Sequence, residues 1–214
     1  MIDKENGMYI LACDVCGDLA ENDFYKLTKM IDNMSPSDIL ICGGSSVKGV
    51  DDIYQKIASQ CQKKKIEFIV DTTKSDLAQV LPYSPLLVKP NIHELEEFFE
   101  ASIRTVDETI KYGKKLLELG AKNVIVSLGG KGSVFLNNDL TLRAKALVGE
   151  VKNTVGAGDS MVAGFISSYV VDKDVLKAYK LAIACASATA FSPVIGTKSE
   201  IELLLPSVEI DCIK

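Results

Sequence analysis

The chain has 214 residues, 47% of them hydrophobic, and a formal net charge of −5. That apolar content suffices for one sizeable core, so a single domain over residues 1–214 is the expectation. Lys and Arg cluster only at Lys63-Lys64-Lys65, which points away from nucleic acid. No apolar run reaches the roughly 18 residues of a membrane span, and the start Met1-Ile2-Asp3-Lys4-Glu5 is too charged for a signal peptide, so a cytoplasmic protein is expected.

Met8 to Cys16 is apolar enough for a strand, and Gly17-Asp18 breaks it before an amphipathic helix from Leu19 to Met34 that Ser35-Pro36 ends. Cys13 and Cys16 form the single C-x-x-C. With no second pair and 1 His in the sequence, the 6 cysteines are expected as free, buried thiols rather than a zinc or redox site. Asp38 to Cys42 is a short continuous apolar run, the pattern of a strand buried on both faces, and it runs into Gly43-Gly44-Ser45-Ser46. A helix from Val50 to Lys64, a strand from Ile66 to Asp71, another helix, and the strand Leu86-Leu87-Val88 continue the alternation. Strands alternating with helices at this spacing predict an α/β protein with a doubly wound, mostly parallel sheet and helices on both faces. In such sheets ligands bind beyond the carboxyl ends of the strands.

Lys89-Pro90-Asn91-Ile92-His93-Glu94 occupies one of those ends. Asn91 and Glu94 stand three apart at the start of a helix. That places them on one side, where they reach a solvated metal or a phosphate, and it equally makes Asn91 an N-cap with Glu94 completing a capping box. His93 between them faces solvent. A second capping pattern, Thr105-x-x-Glu108, opens a helix that Gly120 closes. The strand Asn123 to Ser127 then enters Leu128-Gly129-Gly130-Lys131-Gly132-Ser133, which lacks the G-x-x-x-x-G-K-[ST] spacing of a P-loop. Val134-Phe135-Leu136, Asn137-Asn138-Asp139 and Leu140 to Leu147 read as a hairpin.

The stretch Asn153-Thr154-Val155-Gly156-Ala157-Gly158-Asp159-Ser160 is a glycine-rich turn feeding the helix Met161 to Val171. Its first-turn N–H groups and the helix dipole suit an anion, and glycine lets the backbone come close to a phosphate. Asp159 would repel an anion held there. It therefore either caps the helix or faces a substrate hydroxyl while the amides neutralise a transferring phosphoryl group. Val175 to Phe191 follows as an alanine-rich helix, whose small side chains suit close helix packing or a flat ring. Ser199 to Leu204 is a last short helix before the tail.

Asn153 to Phe165 resembles the C-terminal signature of the PfkB-type carbohydrate kinases, a family that includes ribokinase, and looks closest to the branch of 1-phosphofructokinase and tagatose-6-phosphate kinase. The resemblance implies a ribokinase-like fold, an ATP:sugar-phosphate phosphotransferase, and ATP and Mg²⁺ as cosubstrate and cofactor. It implies Asp159 as catalytic base with Gly156, Ala157 and Gly158 as the anion hole. Asn91 and Glu94 would join the magnesium and phosphate network, Asn91 through water, beside their capping role. Ser127, Gly129 and Gly132 match the family's loop along the nucleotide, with Asn153 and Gly158 also on the nucleotide side. The end of the alanine-rich helix and the Pro193 to Thr197 loop would border the adenine.

The similarity runs from about Leu19 to the C-terminus. The family's early sugar-binding Asp, its Gly-Gly-x-x-x-Asn segment and most of its β lid find no counterpart upstream of Met8. Cys13-Asp14-Val15-Cys16 stands where the last lid strand belongs, and no Leu-Pro follows Gly43-Gly44-Ser45-Ser46. The expectation is an N-terminally truncated kinase with the lid largely absent, acting on a sugar phosphate as a homodimer or beside a complementing N-terminal chain. The alternative is a catalytically silent nucleotide-binding or interaction domain.

Overall fold

The computed structural model describes residues 2–3, 8–12, 21–44, 52–72 and 74–213. They fall into two compact units, Met1–Val124 and Ile125–Lys214.

The first unit is built by strand–helix alternation. β1 (Ile2–Asp3) pairs antiparallel with β2 (Met8–Ala12). Then come α1 (Glu21–Asp32), β3 (Ile39–Gly43), α2 (Ile53–Lys64), β4 (Glu67–Asp71), α3 (Lys74–Val80), β5 (Leu87–Val88), α4 (Ile92–Phe99) and α5 (Val106–Glu118). β6 (Val124–Ser127) starts at the boundary. From β2 to β6 every neighbouring pair is parallel, with Leu40 beside Phe68, Ile69 beside Leu87, and Val88 beside Val124. Leu40, Ile69, Leu87, Val88 and Val124 are fully buried, as continuous apolar runs in a parallel sheet require. Helices start where the sequence marks them. Thr105 accepts from the Glu108 N–H while the Glu108 carboxylate accepts from the Thr105 N–H, a complete capping box.

In the second unit β7 (Ser133–Leu136), β8 (Thr141–Ala144) and β9 (Ile210–Cys212) pair antiparallel in that order, β9 returning to β8 after the helices. Asn137 Oδ1 closes the hairpin, accepting from the Asp139 and Leu140 N–H groups at 2.9 and 2.7 Å. Two long helices, α6 (Ala157–Asp172) and α7 (Val175–Phe191), and the short α8 (Lys198–Leu204) complete the unit. Phe135 of β7 holds them, its ring 5.9 Å from Phe165 of α6 and 5.5 Å from Tyr179 of α7. The Tyr179 hydroxyl reaches Ser133 Oγ at 2.8 Å, which satisfies it in the core, and burial pushes its pKa well up. α6 and α7 meet closely at Gly164, where a Cβ would stand 2.8 Å from Cys185 Sγ and 3.0 Å from Ala182 Cα. Helix packing therefore accounts for the small side chain of Ala182.

Among the described cysteines, Cys42 and Cys61 are buried thiols as expected, burial pushing Cys61 up to about 12, whereas Cys212 is exposed on β9. Cys13, Cys16, Ser45 and Ser46 lie outside the described residues. No helix among those residues is long and apolar enough to cross a membrane.

Candidate active site

In the second unit, β6 ends at half-buried Ser127 and turns through a short 3-10 segment, Gly129–Lys131, into β7. The loop closes on itself. Gly132 N–H donates to the Gly129 carbonyl at 3.0 Å and Leu128 N–H to the Gly132 carbonyl at 2.8 Å. Gly132 has φ 93, and a Cβ on it would run into the Ala144 carbonyl of β8. Both the dihedral and the neighbour demand glycine there. Gly129, Gly130 and Lys131 are exposed along the loop's outer side.

The second site segment begins where Lys152 and Asn153 both donate their N–H groups to the Ala190 carbonyl, at 2.8 and 3.2 Å. Asn153 Oδ1 then accepts from the Val155 N–H at 3.0 Å, an Asx turn that swings the chain toward α6. Gly156 takes the left-handed conformation, φ 79 and ψ −4, as N-cap of α6, and the helix has no side-chain cap. Asp159 stands exposed inside the first turn, so the capping reading of Asp159 does not hold. The Ala157 N–H turns back to the Thr154 carbonyl at 3.2 Å. Among the described residues, the Gly156, Gly158 and Asp159 N–H groups meet no backbone acceptor. The turn thus offers free donors at the positive end of a 16-residue helix, beside a free carboxylate. A Cβ built at Gly156 meets nothing within 4 Å, so it is the backbone dihedral that selects glycine there.

In the first unit, the strand ends are tied together. Gly44 N–H donates to the Asp71 carbonyl at 3.1 Å, and the Gly44 carbonyl accepts from the hydroxyls of Tyr54 and Thr72, each at 2.7 Å. Lys89, at the end of β5, places Nζ 3.1 Å from Asp71 Oδ2, with side chains 7% and 20% exposed. Neither Lys89 nor Asp71 carried weight in the sequence reading, although each sits at a strand's carboxyl end. Asn91 Oδ1 accepts from the His93 and Glu94 N–H groups at 2.9 and 3.0 Å, and Glu94 Oε2 accepts from the Asn91 N–H at 2.7 Å. The capping box is therefore real, and it spends one oxygen of each side chain. Glu94 uses Oε2 for the cap, and among the described residues Oε1 has no hydrogen-bond partner, which suits Mg²⁺, an ion that retains most of its waters and takes one or two carboxylates. Among the described residues no group of three or more His, Cys, Asp or Glu forms a closed metal cage. His93 is 88% exposed, as expected.

The sequence-predicted residues thus gather into three clusters. Asn91 and Glu94 share one cap, Ser127, Gly129 and Gly132 one loop, and Asn153 to Asp159 one turn. The hydroxyls of Ser160 and Thr189, 2.8 Å apart behind that turn, escaped notice because no spacing rule joins residues 29 apart.

The model of the pfkB family of carbohydrate kinases matches residues 12–201, and the chain belongs to that family. It is 36% identical over 193 residues to the 1-phosphofructokinase of Bacillus subtilis, a match covering 90% of this chain and 64% of that protein. With the D-tagatose-1-phosphate kinase of Bacillus licheniformis it shares 35% identity over 187 residues, 86% of this chain and 62% of that one. A Staphylococcus aureus crystal structure bearing a provisional phosphofructokinase name superposes with a TM-score of 0.88 at 35% identity, covering 94% of this chain and 66% of that chain. The fold is therefore ribokinase-like, with a mostly parallel sheet. The chain spans slightly under two thirds of the length of these relatives.

Proposed function

We propose that this chain is the nucleotide-binding and phosphoryl-transferring part of an ATP-dependent sugar-phosphate kinase of the 1-phosphofructokinase type. The observation that carries the reading is the opening of α6, where free amides at Gly156 and Gly158 and the exposed carboxylate of Asp159 share one uncapped helical turn. Phosphoryl transfer asks little covalent chemistry of a protein, mainly positioning and charge neutralisation. The amides would hold the transferring phosphoryl group. Asp159 would accept the proton of the acceptor hydroxyl as that oxygen bonds to the γ-phosphorus and the bond to ADP breaks. With fructose 1-phosphate the products are fructose 1,6-bisphosphate and ADP. Asn91 and Glu94 would hold Mg²⁺, which when bound neutralises phosphate charge. The exposed outer side of the Gly129–Gly132 loop, with Ser127 and Asn153, would run along the nucleotide.

Calorimetry on the folded chain with Mg·ATP tests this. Weak binding is expected, because no sugar closes over the nucleotide. The absence of heat at millimolar Mg·ATP would count against the assignment.

A further inference from the structure

The turn from Asn153 to Ser160 is held at both ends by two adjacent residues of α7. Upstream, Lys152 and Asn153 donate to the Ala190 carbonyl at 2.8 and 3.2 Å. Downstream, Ser160 Oγ lies 2.8 Å from Thr189 Oγ1. Between these two anchors stand Gly156, the free amides and Asp159. The same Thr189 oxygen accepts from the Gly196 N–H at 3.1 Å, so it also fixes the loop after α7. Gly196 lies flat on the helix, where a Cβ would come within 2.6 Å of the Ala188 Cβ. Thr189 itself is 2% exposed. Packing alone would be served by valine, which has the same shape. A threonine in that position is explained by its hydroxyl, whose two lone pairs and one proton serve Gly196 and Ser160 together.

The geometry points to Thr189 as a positioning residue that sets the first turn of α6 and the 193–197 loop in one arrangement, so that the two segments loosen or tighten together. It touches no reacting atom and acts through Ser160, the neighbour of Asp159, and through Gly196. The inference rests on the functional reading above for its consequence, since the turn it supports is the proposed anion hole. Its structural content stands apart from that reading.

Two half-buried partners, Ser160 and Gly196, lose their acceptor or donor when the hydroxyl goes, while the volume stays. Thr189→Val is therefore expected to stay folded, to speed amide hydrogen exchange in both 153–160 and 193–197, and to weaken Mg·ATP binding about tenfold, roughly the net worth of one neutral hydrogen bond. Thr189→Ser keeps the hydroxyl and should restore both exchange and affinity, which a purely packing role would not do. Ser160→Ala, a milder change that removes one arm, should raise exchange in 153–160 and leave 193–197 nearer the parent. Exchange measured by mass spectrometry and affinity by calorimetry separate the two ideas. A parent chain that binds no Mg·ATP overturns the functional reading, while joint loosening in Thr189→Val still upholds the positioning role. Unchanged exchange in 153–160 for both Thr189→Val and Ser160→Ala, or failure of Thr189→Ser to restore it, overturns the positioning role.

Discussion

Asp159 lies inside the first turn of α6 without capping it, so its carboxylate contributes little to holding the helix. Asp159→Asn should therefore leave the melting temperature within a degree or so. In a version of the enzyme that turns over, the rate should fall by about 10²–10⁴-fold, the usual worth of a positioned general base. Activity equal to the parent would remove Asp159 from the chemistry. The glycines of the site separate by the same kind of argument. At Gly132 a Cβ meets the Ala144 carbonyl and the dihedral is unfavourable, so Gly132→Ala should unfold more easily, by about 2–4 kcal/mol in urea titration. At Gly156 there is no neighbour within 4 Å, and only the left-handed φ opposes a side chain. Gly156→Ala should cost about 1–2 kcal/mol of stability, yet weaken Mg·ATP binding at least as much, since a Cβ intrudes where the phosphate is proposed to approach. A stability loss without any loss of affinity would argue that this glycine serves the turn alone.

The long elements were legible because each carries a period or a stop signal. Val175 to Phe191 is the helix observed, bounded by Asp174 as N-cap. The strand β3 follows its unbroken apolar run, and β4 is built around Phe68-Ile69-Val70. Shorter or context-driven elements were not: β9 is three residues, Ile210–Cys212, with one half-buried and two exposed, and it exists because β8 offers an edge to pair with. Helix starts drifted by up to four residues: α6 begins at Ala157 rather than Met161, and α2 at Ile53 rather than Val50, where Asp52 takes the left-handed conformation that no sequence rule marks. In the site, motif residues were readable since their spacing is local. The Asp71–Lys89 pair and the Ser160–Thr189 pair join distant elements, and only the fold brings them within reach. The contact at Gly164 shows the same dependence on the neighbouring element. Gly164→Val would push a branched side chain onto the Ala182 backbone and Cys185, and should destabilise the second unit by about 1–3 kcal/mol. Because Cys185 Sγ can shift but the backbone of Ala182 cannot, Gly164→Val combined with Cys185→Ala should recover only part of that loss in the same urea titration.

At the scale of the whole molecule, the sheet and both glycine turns are present in a chain that spans 64% of the Bacillus subtilis relative. Chemistry at a kinase rate needs more than charge stabilisation. Holding an acceptor hydroxyl in line with the γ-phosphate supplies about 7–11 kcal/mol of a barrier, and that contribution exists only where the sugar is clamped. The resemblance assigns much of the clamp to an early Asp and a Gly-Gly-x-x-x-Asn segment, and no such segment occurs in these 214 residues. On the proposed reading Asp159 and the amides of α6 would still favour charge on a phosphoryl group, but without the clamp the sugar hydroxyl would have no advantage over water. The expected behaviour of this chain by itself is Mg·ATP binding with slow hydrolysis that neither fructose 1-phosphate nor tagatose 1-phosphate accelerates. A coupled ADP-release assay, with Asp159→Asn as the blank, measures it. Sugar-dependent release at roughly 1–100 s⁻¹, the ordinary range for kinases, would mean that the pocket is completed by another route, such as a second copy of the chain. If a second copy does so, the total rate should rise with the square of protein concentration at low concentration, and linearly once the chain is fully dimeric.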